Sequence, residues 1–183
     1  IYSASAYTKR YRTQEYYNSG NWRGTWKIDG GGCLMNQGIH LIDLFTWFLG
    51  NVEEVIAIIE NRGRKVEVET LALSLVKFTN GVKGIIEGTT LAYPELPQYI
   101  EIFGSKGTIA FTAESLLRWD LINPTFAETE LREKLLRYQR EAEKVCKKGR
   151  VLPGTAVPSA DSGHAPIIAD FVDAIKNDRP PFV

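Results

Sequence analysis

The sequence predicts an α+β fold, with one open, mostly antiparallel (mixed) β-sheet and helices on one face. Three observations predict it. A helical stripe of apolar residues occurs early, between Gly30 and Gly50. The periodicity then changes to β-branched and aromatic runs separated by turn signals. Two amphipathic helices follow towards the end of the chain.

Residues 1–9 alternate small, aromatic and polar side chains, as a strand does. Residues 12–18 (RTQEYYN) read as a loop or a short helical turn. Gly30-Gly31-Gly32 opens a segment expected to be one helix running to a cap at Gly50. Its apolar stripe is Leu34, Gly38, Leu41, Phe45 and Phe48, spaced four, three, four and three apart. Strands are expected over residues 52–60, 66–78, 82–90, 99–103 and 108–111, with a further one over 116–122. Asn80-Gly81 and residues 104–107 (GSKG) supply the hairpin turns, so the strands should form a largely antiparallel meander. Leu131, Leu135 and Tyr138 mark a helix over 128–147. Residues 152–163 read as a loop, and Ile168, Phe171, Val172 and Ile175 mark a last helix over 165–176. Paired apolar residues (Ile58-Ile59, Leu75-Val76, Ile85-Ile86) suggest that both sheet faces are covered, the second by another subunit.

Composition narrows the function. With 183 residues, 44% hydrophobic and 24% charged, the chain suffices for one domain or one lobe of a larger enzyme. Formal net charge is zero, which argues against nucleic-acid or membrane-surface partners. Two cysteines, Cys33 and Cys146, lie far apart with no metal-type spacing, so neither a disulfide framework nor a metal site is expected. A cytoplasmic setting fits, and no apolar run is long enough to span a bilayer. The chain does not begin with Met, and both ends read as cuts through a larger protein.

Candidate chemistry lies opposite the apolar stripe, where Asn36, His40, Asp43 and Trp47 repeat the spacing four, three, four. His40 is one of two histidines and is the side chain suited to proton transfer near neutral pH. Asn36 would bond a substrate hydroxyl, and Asp43 would orient the imidazole. His164 could be a ligand or only the flank of the last helix. The glycine run either turns the chain into the helix or admits an anion to the helix N-terminus. It is not a dinucleotide fingerprint, because no hydrophobic strand of a βαβ unit precedes it, and no cofactor-binding residue is identified. Residues 16–26 place four aromatics and Arg23 in a probable loop, suited either to sugar rings and anionic groups or to covering the core edge.

The stretch WRGTWKIDGGGCLMNQGIHLIDLFTW, with IEIFGSKGTI and the later H..II.DFV.AI...RPP pattern, resembles the C-terminal domain of the Gfo/Idh/MocA oxidoreductases, in the sugar and nucleotide-sugar branch. The resemblance covers nearly the whole chain and is weaker over 127–149. It implies a glyceraldehyde-3-phosphate-dehydrogenase-like C-terminal domain, and an intact protein with an N-terminal Rossmann domain of about 120 residues that holds NAD or NADP. It further implies a catalytic lysine in an EKP-like motif, which this sequence lacks, working beside the histidine that matches His40. Many members carry aspartate where this chain has Asn36, a departure that fits the nucleotide-sugar branch better than the inositol branch.

The expected function is therefore a substrate-binding and oligomerisation domain spanning residues 1–183. It would belong to an NAD(P)-dependent dehydrogenase that oxidises a sugar or nucleotide-sugar hydroxyl. His40 is the expected acid/base, and Asn36, Asp43, Arg12, Tyr17 and Arg23 the substrate-positioning residues. The isolated chain should be inactive. The intact protein should form a homodimer or homotetramer through the sheet face. Two other readings stand beside this one: a non-catalytic assembly module, and an NAD-dependent glycosidase.

Overall fold

The computed structural model describes residues 1–113, 115–148 and 164–181. Residues 1–139 form one compact unit and 140–183 a second. Among the described residues the first unit contains seven strands: β1 (Ser3–Lys9), β2 (Val52–Glu60), β3 (Leu71–Phe78), β4 (Lys83–Thr89), β5 (Tyr99–Gly104), β6 (Gly107–Phe111) and β7 (Leu116–Leu121). They form one sheet in the order β2-β3-β4-β1-β5-β6-β7. The pairing is antiparallel except for β1 with β4, so the predicted meander is broken at its centre by the first strand of the chain. The mixed, mostly antiparallel sheet is as predicted.

The helices are α1 (Gln14–Asn18), α2 (Ile39–Leu49), α3 (Phe126–Lys148) and α4 (His164–Lys176), with a π-helical turn over Cys33–Gln37. The segment from Gly30 to Gly50 is therefore not one α-helix. It is a π-turn, a break at Gly38 and then α2. The C-terminal cap falls on Gly50 as expected, with Gly50 N–H donating to the Thr46 carbonyl at 2.7 Å. Asn80 Nδ2 from the β3–β4 turn also donates to the Leu49 carbonyl at 2.7 Å, tying the helix end to the sheet.

One face of α2 is buried on the sheet through Leu41, Phe45 and Leu49, against Ala4, Ala6, Val76, Phe78 and Ile100. The stripe ends on buried Leu49 rather than on Phe48, which is exposed and packs edge-on against Trp47 and Phe111. Alanines in β1 let the helix approach closely, and the Phe45–Phe78 ring pair fills the space beside them. Gly88 serves the π-turn in the same way, since a Cβ there would lie 2.4 Å from Leu34 Cδ2.

The opposite face of the sheet carries Ile56 and Ile58 of β2 paired with Leu75 and Leu73 of β3, and Leu75 paired with Ile85 of β4. All five are exposed. The predicted strand over 66–78 starts only at Leu71. Before it, Val68, Glu69 and Thr70 turn inwards and are buried, and the Thr70 hydroxyl closes the loop by donating to the Arg62 carbonyl at 2.8 Å.

Helix α3 begins two residues earlier than expected because Thr125 and Glu128 form a capping box, each bonding the other's backbone. In the second unit, Arg179 clamps Asp170 and Asp173 of α4 at 2.6 and 2.8 Å. The loop expected over 152–163 and the side chain of His164 lie outside the described residues. No helix among the described residues is long and apolar enough to cross a membrane.

Candidate active-site face

The glycine run meets a carboxylate from the protein itself. Glu69 is buried and accepts from the backbone N–H of Gly32 at 2.9 Å and of Leu34 at 3.3 Å. Cys33 N–H donates to the Glu69 carbonyl at 3.0 Å. A Cβ on Gly32 would stand 1.8 Å from that carbonyl oxygen, so only glycine fits there. The amides that open a helix attract an anion. Here Glu69 is that anion, and the run acts as an anchored turn. The same carboxylate and burial act on Cys33: burial first, then the charge of Glu69, push its thiol up to about 12.

A chain of hydrogen bonds continues from the anchor. Gly24 N–H donates to Asp29 at 2.7 Å, and Asn36 Nδ2 donates to the other Asp29 oxygen at 2.7 Å. Gln37 Nε2 donates to Asn36 Oδ1 at 2.6 Å, and Arg12 Nη2 donates to Gln37 Oε1 at 2.7 Å. Arg12 Nη1 reaches Glu95 at 2.8 Å, where Arg10 also binds. Burial works against the charged form of Glu95, but its bonds to Arg10, the Tyr11 amide and Arg12 outweigh that and hold its carboxyl below the ordinary value. Asn36 and Arg12 are thus joined to each other through Gln37, and Asn36 is directed at Asp29.

His40 and Asp43 stand apart from this chain. Both are exposed on the outer face of α2, with Trp47 beyond them. Neither side chain makes a hydrogen bond or ion pair among the described residues, and the two are not joined to each other. The break at Gly38 explains why Asn36 does not stack on His40, because spacing by four defines one face only within a continuous α-helix.

The aromatic loop is ordered around Tyr16, Tyr17 and Arg23. Tyr17 is buried, and its hydroxyl donates to Thr90 Oγ1 at 3.0 Å. Burial pushes its phenol up, with the Thr90 bond acting against that. Arg23 lies between the Trp22 and Tyr16 rings and donates to the Tyr16 hydroxyl at 2.7 Å.

Asp29, Gln37, Glu69 and Glu95 are site residues that the sequence alone did not single out. Gln37 sits inside the recognised motif, beside Asn36. Glu69 and Glu95 act from 37 and 83 positions away. No group of three or more metal-ligating side chains occurs among the described residues. These residues do not fit a dinucleotide either, since the glycine run follows a loop and its Gly32 and Leu34 amides are taken by Glu69.

Residues 1–110 match the GFO/IDH/MocA C-terminal domain. A myo-inositol 2-dehydrogenase of Thermotoga maritima is 35% identical over 85 residues, covering 43% of this chain and 25% of that protein. A WlbA dehydrogenase from Bordetella pertussis, solved with NADH and UDP-GlcNAcA, superposes over 100% of this chain and 48% of its own, with TM-score 0.80 and 28% identity. The WlbA enzyme of Chromobacterium violaceum, solved with the same two molecules, covers 100% and 55% with TM-score 0.68 and 29% identity. The chain therefore spans a quarter of the first relative and about half of the other two.

Proposed function

The chain belongs to the GFO/IDH/MocA oxidoreductase family, and we propose that it is the substrate-binding and oligomerising half of an NAD- or NADP-dependent dehydrogenase acting on a sugar or nucleotide sugar. The observation that carries the reading is the state of His40. Its imidazole is exposed and has no hydrogen-bond or ion-pair partner among the described residues, while the polar residues just before it are tied to one another. A histidine held on a rigid helix with its ring nitrogens free can accept the proton of a hydroxyl at neutral pH. A bound nicotinamide would supply the hydride acceptor, so that loss of the hydroxyl proton to His40 would accompany oxidation of the alcohol to a ketone.

The cofactor belongs to an N-terminal Rossmann domain of the intact protein, with a lysine there as the second proton-handling group. Asn36 and Arg12 would meet the substrate from the ordered chain of bonds, Asp43 from the next turn of α2, Tyr17 from α1 and Arg23 from the loop that follows it. The nucleotide-sugar class is favoured because the WlbA structures superpose over the whole of this chain.

A second reading, a non-catalytic assembly module, draws on the exposed row Ile56, Ile58, Leu73, Leu75 and Ile85. An apolar face of this kind marks an interface. Both roles fit one protein, and one experiment on two full-length variants separates them. His40→Ala should lower kcat by about a hundredfold or more, the usual range for a lost acid/base group, with unchanged mass by light scattering. Leu75→Lys should reduce the oligomer to a smaller species. Near-normal turnover in His40→Ala leaves only the assembly reading.

A further inference from the structure

A cavity of about 350 Å³ opens between residues 18–25 and 65–67. Its walls are fixed from both sides. Lys65 N–H donates to Gln14 Oε1 at 2.7 Å, and Gln14 Nε2 returns a bond to the Lys65 carbonyl at 3.4 Å. Glu67 N–H donates to the Gly24 carbonyl at 2.9 Å, and Trp26 N–H donates to the Glu67 carboxylate at 3.0 Å. Gly24 has φ +69°, and a Cβ there would press on Val66 at 2.8 Å, so the two walls meet at a position that needs glycine.

The charges in this cavity are unbalanced. Arg23 is clamped between two rings, its guanidinium carbon 4.3 Å from the centre of Trp22 and 4.4 Å from that of Tyr16. Its hydrogen bond goes to the neutral Tyr16 hydroxyl. It has no carboxylate partner among the described residues, and its Nε is buried without an acceptor. Lys65, on the facing wall, also lacks an acidic partner. Glu67 is the one acid of the lining, and it is engaged by the Trp26 amide. Two cations against one carboxylate leave one positive charge. Arg12 is the contrast in one respect, since it has a carboxylate partner in Glu95, which it shares with Arg10. An arginine fixed by stacking loses little freedom on binding, and its planar fork suits a carboxylate or phosphate.

We propose that this cavity binds an oxyanion substituent of the substrate, a carboxylate or a phosphate, with Arg23 and Lys65 as its counter-charges and the Tyr17 ring as its wall. The inference rests on the substrate-contacting roles given to Tyr17 and Arg23 above. Its experiment reads binding rather than turnover, so an inactive His40 would leave it standing.

Isothermal titration of the full-length protein, with NADH in excess to occupy any cofactor site, would use inorganic diphosphate in one arm and D-glucuronate in the other. Saturable binding of either is expected, and the arm that binds tells phosphate from carboxylate. Lys65→Met is a surface change that leaves the fold intact, and it should weaken binding about threefold. Arg23→Met with Lys65→Met should weaken it tenfold or more, while Lys134→Met should change nothing. The proposal is overturned if neither anion binds, or if binding is the same in Lys65→Met and the double variant as in the parent.

Discussion

Residues 30–38 and residues 39–49 are consecutive in sequence and opposite in their polar chemistry. In the first, most side-chain polar groups are committed: Glu69 takes the Gly32 and Leu34 amides, Asn36 bonds Asp29 and Gln37, and Gln37 bonds Arg12. In the second, the side chains of His40 and Asp43 make no hydrogen bond or ion pair among the described residues. The difference separates side chains held in place by protein partners from side chains open to a new one. A buried polar group without a partner is costly, so the fold satisfies it, and a group left free at the surface is available for a ligand. The two regions share one core, since Leu34 of the first packs against the cluster that holds Leu41 and Phe45 of the second.

The comparison is broken most severely at Glu69. Removing its carboxylate in Glu69→Ala leaves the Gly32 and Leu34 amides without acceptors, at about 1–3 kcal/mol each. A loss of about 3 kcal/mol or more is expected in urea unfolding, and roughly half that in Glu69→Gln, which keeps an acceptor oxygen. If Glu69→Ala unfolds at the same urea concentration as the parent, the anchoring role is wrong.

The next effect is alkaline. Burial and Glu69 raise the Cys33 thiol from an ordinary value near 9 to about 12. The folded state thus favours the neutral thiol. That contribution is fully present below about pH 9 and is lost as pH rises from 9 towards 12. Within this window stability should fall by about 1 kcal/mol per pH unit beyond the loss caused by other groups. Melting curves from pH 8 to 11 should show the extra slope in the parent and not in Cys33→Ala. Equal slopes in the two proteins would mean that the thiol ionises freely.

Much of the fold was legible because its signals are local. The β-branched run of residues 52–60 and the Asn80-Gly81 turn carry their own structure in their spacing, and β2 and the β3–β4 hairpin fall where those signals place them. The place of β1 was not legible. Its pairing with β4 joins residues some eighty positions apart, and alternation does not encode a partner. The same limit applies at the site. His40 was visible as a rare residue on a polar stripe. Glu69 looked like one more residue of a β-rich run, and what identifies it is the pair of amides it meets in space. Arg12 was expected to position substrate, and its bond to Glu95 was hidden for the same reason, since Glu95 lies 83 positions away. The π-turn was hidden because a spacing of four, three, four is compatible with a continuous α-helix, and the bonds that unwind it come from outside the segment.

The smallest expected effect is also the sharpest test of the contrast. The His40 and Asp43 side chains are solvent-exposed and make no hydrogen bond or ion pair among the described residues, so removing them should cost the fold almost nothing. His40→Ala and Asp43→Ala should each lie within about 0.5 kcal/mol of the parent in stability. Because the two groups do not touch, the double variant should equal the sum of the singles. Alanine is also the better helix former at both positions. A coupling above about 1 kcal/mol would show that the imidazole and the carboxylate do interact. His40 would then belong with the tied residues of the preceding turn, and the division between tied and free side chains at Gly38 would fail.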